Sequence, residues 1–204
     1  MLPADEIRVL LFDLGGVLLR LNDPLETFGL DLTHAEFMEQ WLMSPSVREF
    51  ERGAIDSNTF AANIVAEAGL AYDATEFLRR FDAWPDQLYP GTLELLQEIP
   101  RHYERAILSN TNAVHWNRVN HDGRLTGCFD RIFLSCETGL LKPDVQAFAH
   151  VAASYDCAAR HILFFDDNPL NVNAALELGC SAELVNGVDE LRRAFDKHAI
   201  LTSR

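Results

Sequence analysis

Paired cysteine motifs are missing from this chain. Its four cysteines, Cys128, Cys136, Cys157 and Cys180, form no CxxC pair and no metal-finger spacing. Cys128, Cys157 and Cys180 have small or apolar neighbours and read as buried thiols, which fits a reducing, cytoplasmic setting. Positive charge is scarce. Lys and Arg number 17 against 31 Asp and Glu, for a formal net charge of -14. That field repels nucleic acid and anionic membrane surfaces, so neither is expected as a partner. An anionic substrate would need local positive charge, from a metal or a placed lysine. No apolar run reaches membrane-spanning length. Met1-Leu2-Pro3-Ala4-Asp5-Glu6 lacks the basic start of a signal peptide. There is no internal repeat and no low-complexity segment. What remains is ordinary for a globular protein: 204 residues, 48% hydrophobic, enough for one large domain or a domain with an insert.

The chain is organised around Arg8-Val9-Leu10-Leu11-Phe12-Asp13-Leu14-Gly15-Gly16-Val17-Leu18. The apolar run has no alternation, as in a strand covered on both faces of a parallel sheet. It ends on a carboxylate, where open α/β sheets put their chemistry. Two glycines then let the backbone turn sharply and approach a ligand.

From about Leu21 to Trp84 the sequence shows no good strand but four helical segments. Thr33-His34-Ala35-Glu36 reads as a capping box, followed by Phe37 and Trp41 at helical spacing. Pro45 opens a helix carrying Val47 and Phe50. Asp56 to Ala68 places Phe60 and Ile64 on one face, and Thr75 to Trp84 does the same with Phe77 and Phe81. These aromatic stripes read as helix core. Beyond them, Thr92 is expected to cap a helix through Ile99. Buried strands are expected at Glu104–Ser109, Arg131–Ser135, Ile162–Phe165 and Ser181–Val185, with helices between them. One of these helices has Pro143 in its first turn. Alternating strands and helices imply a doubly wound parallel sheet of about five strands. The expected division is a Rossmann-like core of residues 1–20 and 88–204 with a helical domain of residues 21–87 inserted.

The carboxyl ends of these strands carry Asp13, then Ser109 and Asn110, then Asp166 and Asp167, with Lys142 in the loop before the Pro143 helix. In a wound sheet such points lie side by side. Taken singly, each fits a structural role: Ser109-Asn110 as a helix cap, Lys142 as a solvated loop lysine, Asp166-Asp167-Asn168-Pro169 as an N-cap cluster. Together, Phe-Asp-Leu-Gly-Gly-Val, Leu-Ser-Asn-Thr-Asn, Leu-Lys-Pro-Asp and Phe-Phe-Asp-Asp-Asn-Pro resemble, in order, the four motifs of the haloacid dehalogenase-like hydrolase superfamily. The helical insert after the first motif resembles that superfamily's cap of the first type.

Elementary electrostatics adds to the resemblance. Carboxylates about 4 Å apart repel by roughly 4 kcal/mol per pair at an effective dielectric near 20. A divalent cation relieves this, and a hard all-oxygen site suits Mg²⁺. Asp13 can then attack phosphorus to form an aspartyl-phosphate, which water hydrolyses. Lys142 supplies a second positive charge, and Ser109 with nearby backbone amides holds the phosphoryl oxygens. The resemblance implies the same roles. It points to Asp13, the Gly15 carbonyl, Asp166 and Asp167 for metal, with Asp167 the first choice for direct contact, and to Ser109, Asn110 and Lys142 for substrate.

Position 15 departs from the pattern. The family usually has there an Asp that protonates the leaving group, and its backbone carbonyl binds the metal. Gly15 keeps the carbonyl and loses the acid, which costs about 10²–10⁴ in rate. Such a loss favours a leaving group that needs little protonation. Bacterial sugar-phosphate phosphatases of the glucose-1-phosphatase type share this Asp-Leu-Gly start, so a small phosphorylated metabolite, an anomeric sugar phosphate first among them, is the expected substrate. Two other readings compete. One is a 2-haloacid dehalogenase, although Gly15 and the acid pair after the fourth strand argue against it. The other is a non-catalytic relative that only binds a phosphorylated ligand or a protein. His115-Trp116 reads as packing, and Glu51-Arg52-Gly53 either faces the site or ends a solvated helix.

Overall fold

A computed structural model describes residues 6–201. The amino-terminal stretch weighed above as a leader lies, except for Glu6, outside the described residues. Strand β1 (Val9–Phe12) is buried along its whole length, as its unbroken apolar run requires. It leads through the Asp13–Leu18 turn into a short strand β2 (Leu19–Leu21).

Helices α1 (Pro24–Phe28), α2 (His34–Met43), α3 (Pro45–Glu51), α4 (Ser57–Glu67) and α5 (Ala74–Asp82) follow, and β3 (Pro85–Leu88) closes the segment. Strands β2 and β3 pair antiparallel, Leu19 opposite Leu88. The sequence reading missed this ribbon. Its strands are only three and four residues long and carry Arg20, Asp86 and Gln87. Pairing arises because both ends of the insertion leave the sheet at one place. It also missed α1, capped by Asp23. The capping box at Thr33 and Glu36 forms as expected. Phe28, Phe37, Phe50, Phe60, Phe77 and Phe81 give the insertion a core of its own. The Phe50 and Phe60 rings stack 4.2 Å apart. Each such buried ring contributes about 1.5–3 kcal/mol, so the stripes are packing and nothing else is needed to explain them.

The remaining elements are α6 (Thr92–Glu98), β4 (Glu104–Ser109), α7 (Ala113–Val119), β5 (Arg131–Leu134), α8 (Ser135–Thr138), α9 (Val145–Ser154), β6 (Ile162–Asp166), α10 (Pro169–Leu178), β7 (Ser181–Leu184) and α11 (Gly187–Lys197). The sheet is parallel, in the order β5-β4-β1-β6-β7. Leu10 and Phe12 point to one face, packed with Leu95 of α6 and Phe195 of α11. Val9 and Leu11 point to the other, packed with Phe148 of α9 and Ala175 of α10. The chain moves from β1 to β4 on one side and to β6 on the other, so the strand order reverses at β1. The crevice at the carboxyl end of β1 is where such sheets bind ligands.

Two local expectations need correction. Thr92 does not cap α6. Gly91 precedes the helix in a left-handed conformation, and the Thr92 hydroxyl donates instead to the Leu18 carbonyl at 3.3 Å. Pro143 lies outside its helix. A turn closed by Asp144 N–H on the Leu141 carbonyl ends first, and α9 starts at Val145. Among the described residues no helix is long and apolar enough to cross a membrane.

Candidate active site

Three parallel strands end side by side, and their ends set the site. Phe12 is in register with Ile107 of β4 and Phe165 of β6, so Asp13 and Asp166 leave the sheet at one level and Ser109 ends the adjoining strand. Lys142 reaches the same point from the loop before α9. Its ammonium donates to Asp13 Oδ1 at 2.7 Å and to Asp166 Oδ2 at 2.6 Å. Lys142 is 3% exposed, Asp166 0% and Asp13 9%, so this is a buried triad of one cation and two carboxylates. Burial works against the Lys142 charge, but the carboxylates outweigh it and hold its pKa above the usual lysine range.

Asp166 is held from all sides. Asn168 N–H donates to its Oδ1 at 2.8 Å, and Asn171 Nδ2 donates to both oxygens at 3.0 and 3.1 Å. Asp167 differs. It stays open to solvent and packs over Gly16, whose φ of +76° leaves its missing side chain pointing at the carboxylate. Asp13, Asp166 and Asp167 each present an oxygen within 4.8 Å of the others. Burial pushes the Asp13 carboxyl up to about 7, Lys142 pulling it down and the two neighbouring carboxylates adding to the rise. Desolvation of the inner side of Asp167 and the charge of Asp166 push it up to about 6. The arrangement is starved of positive charge and offers hard oxygen donors.

Asn110 holds Lys142 by its backbone. Its Oδ1 accepts from Lys142 N–H at 2.8 Å and its Nδ2 donates to the Lys142 carbonyl at 2.9 Å. Both ends of the amide are engaged, so the side chain expected to reach substrate instead sets the position of the lysine. The Ser109 hydroxyl has no hydrogen-bond partner among the described residues and is 4% exposed. Gly15 sits in the turn after Asp13. A Cβ placed there would meet Leu21 Cδ1 at 3.4 Å, an ordinary contact, so the position has room for a side chain.

Sequence reasoning missed Asn171 and Ser135. Ser135 Oγ accepts from Thr111 N–H at 2.9 Å and donates to the Thr111 carbonyl at 3.0 Å, tying the end of β5 to the loop after Ser109. The available signal was position: Ser135 follows a strand end, and Asn171 lies one helical turn from Asn168. His115 joins α7 to the insertion. Its Nε2 meets the Phe81 carbonyl at 2.7 Å and its ring lies 4.0 Å from that of Phe81. This is the packing role expected of it.

Comparison with known proteins adds four likenesses. The family model of the haloacid dehalogenase-like hydrolases matches residues 7–179. The chain is 27% identical over 198 residues to a chloroplast flavin mononucleotide hydrolase of Arabidopsis thaliana, covering 92% of this chain and 76% of that protein. It is 23% identical over 194 residues to a D-ribitol-5-phosphate phosphatase of Bacteroides thetaiotaomicron, covering 90% and 94%. Among solved structures, a wild-type family enzyme from Bacteroides thetaiotaomicron in complex with magnesium and inorganic phosphate aligns with a TM-score of 0.72 and 26% identity, covering 87% and 93%.

Proposed function

The chain belongs to the haloacid dehalogenase-like hydrolase family, and from that premise we propose that it is a Mg²⁺-dependent phosphatase acting on a small phosphorylated metabolite. The observation that carries the reading is the carboxylate cluster around Asp13, pinned at one oxygen by the buried Lys142. The donor set fits Mg²⁺: several carboxylate oxygens, no thiolate or imidazole, and a solvent-open side at Asp167. Asp13, Asp167 and the Gly15 carbonyl would hold the ion, with Asp166 beside them. Bound there, it would neutralise the crowded carboxylates and draw in the phosphate dianion against the chain's negative field.

In this reading Asp13 attacks phosphorus and becomes an aspartyl-phosphate, which water then cleaves. Lys142 keeps Asp13 ionised and aimed, and its charge faces the phosphoryl group. The free Ser109 hydroxyl holds a phosphoryl oxygen. Asn110 acts through Lys142. The insertion, residues 21–87, acts as a cap over the core of residues 1–20 and 88–204. The four free cysteines support a reducing, cytoplasmic setting.

The relatives' names bear on the substrate. Flavin mononucleotide and D-ribitol 5-phosphate are both phosphate esters of a primary hydroxyl on a ribityl chain. They support a polyol or sugar phosphate of that kind over an anomeric one. The test is hydrolysis of p-nitrophenyl phosphate with Mg²⁺ and with chelator. Activity that needs Mg²⁺ and vanishes in Asp13→Asn is expected. Chloride release from a 2-haloacid without metal would overturn the reading, as would an Asp13→Asn protein as active as the parent.

A further inference from the structure

Primary alcohols are poor leaving groups, and Gly15 offers no side chain to protonate them. The position itself has room for one, so sterics do not explain the absence. Another carboxyl group stands at the end of an insertion helix that is seated beside the Lys142 loop. Glu51 ends α3, next to Phe50, which is locked into the insertion core. Two contacts seat this end of α3 on the sheet. Gly53 lies so close to the Cys136 carbonyl that an added Cβ would come within 2.4 Å of it. Arg52 Nη2 reaches Asp144 Oδ2 at 3.2 Å, two residues past Lys142.

Held there, the half-buried Glu51 carboxyl feels the Lys142 ammonium, and the Cys136 thiol feels Glu51 in turn. The residues that follow it, Arg52 on Asp144 and Gly53 on the Cys136 carbonyl, hold this end of α3 against the rim that carries Lys142. The Glu51 carboxyl has no hydrogen-bond partner among the described residues. Burial pushes it up to about 7, while Lys142 and Arg48, one turn back on α3, pull the other way. A carboxyl group of that kind is poised to give and to take a proton near neutral pH.

We propose that Glu51 is the general acid of the reaction, supplied from the insertion in place of the side chain that Gly15 lacks. The inference rests on the phosphatase reading above. As Asp13 attacks, the bond from phosphorus to the ester oxygen breaks. The Glu51 proton passes to that oxygen, and the alcohol leaves neutral. The Glu51 carboxylate then takes a proton from the water that attacks the aspartyl-phosphate. Its hydroxide becomes part of the phosphate, Asp13 is freed as carboxylate, and Glu51 is protonated again.

The experiment compares first turnovers of Glu51→Gln and parent on two esters, D-ribitol 5-phosphate and p-nitrophenyl phosphate, with Mg²⁺. Nitrophenolate needs no proton to leave. Its first-turnover burst should therefore match the parent's within a few-fold, followed by slowed later turnovers. Alcohol release from the ribityl ester should fall about 10²–10⁴-fold. Adding Gly15→Asp to Glu51→Gln should restore it. The variant removes a desolvated carboxyl group, so its melting temperature should not drop below the parent's. Equal loss on both esters would assign Glu51 a structural role, and no loss on either would make it a bystander. Both results overturn the proposal. A parent that turns over neither ester overturns the phosphatase reading, and the proposal with it.

Discussion

The carboxylate of Asp167 rests directly on the backbone of Gly16: a Cβ built on that glycine would stand 2.1 Å from Asp167 Oδ2. A residue in the motif after β1 thus shapes the seat of a residue after β6. The Gly16 carbonyl also accepts from Gly187 N–H at 2.7 Å, so the turn cannot easily slide away.

Gly16→Ala should therefore damage the site more than the fold. The positive φ costs about 1–3 kcal/mol for a residue with a Cβ. The larger consequence is that Asp167 must move off the Asp13 cluster. Mg²⁺ added to the parent should raise its melting temperature by the usual linkage between ligand and native state. In Gly16→Ala that rise should disappear, along with Mg²⁺-dependent hydrolysis. An undiminished Mg²⁺ response in the variant would show that Asp167 does not hold the ion.

Lys142→Met leaves Asp13 and Asp166 buried without their shared cation. Breaking a buried ion pair from one side costs about 3–5 kcal/mol. Asp13, already pushed up to about 7 by burial, can take a proton and relieve part of the cost, so the loss should be largest near pH 8 and shrink toward pH 5. Urea denaturation of parent and variant at the two values reads this directly. A loss independent of pH would mean that the lysine's hydrocarbon packing, not its charge, matters.

His115 should also make stability fall as the pH is lowered, for a different reason. Burial lowers its pKa from 6.5 to about 4, Arg118 lowering it further and the Phe81 carbonyl opposing. Below pH 6.5 the unfolded chain takes up a proton there that the native protein refuses. Its contribution is whole above pH 6.5 and is lost as pH falls toward 4, by at most about 3 kcal/mol. His115→Gln keeps a donor for the Phe81 carbonyl and does not titrate. The parent should lose more stability than this variant between pH 7 and pH 4.5, as measured by urea denaturation at each pH. Parallel losses would mean that the imidazole is equally easy to protonate in both states.

The central strands β1 and β6 were legible because each is an apolar run buried along its whole length, and β4 because its second half is. The insertion's helices were legible from Phe60 with Ile64 and Phe77 with Phe81, spaced one turn apart. The β2–β3 ribbon was not. Arg20 and Asp86 look like loop residues until the two ends of the insertion meet and Arg20 Nε donates to Asp86 Oδ2 at 2.6 Å. Thr92 looked like a cap because threonine usually is one, and a tertiary acceptor, the Leu18 carbonyl, took its hydroxyl instead.

Local pattern was enough for the wound sheet and for the expectation that Asp13, Ser109, Asp166 and Asp167 stand at strand ends, because burial periodicity and turn chemistry act over a few residues. It was silent on how those residues divide the work. Asp166 and Asp167 are neighbours of the same type, and the chain folds one inward onto Lys142 and Asn171 and leaves the other at the mouth. Asn110 turns to a backbone 32 residues away. The end of α3 reaches the loop of Lys142 only because the insertion docks there, through Arg52 on Asp144 and Gly53 on the Cys136 carbonyl. Such relations depend on contacts between segments far apart along the chain, and no short window of residues contains them.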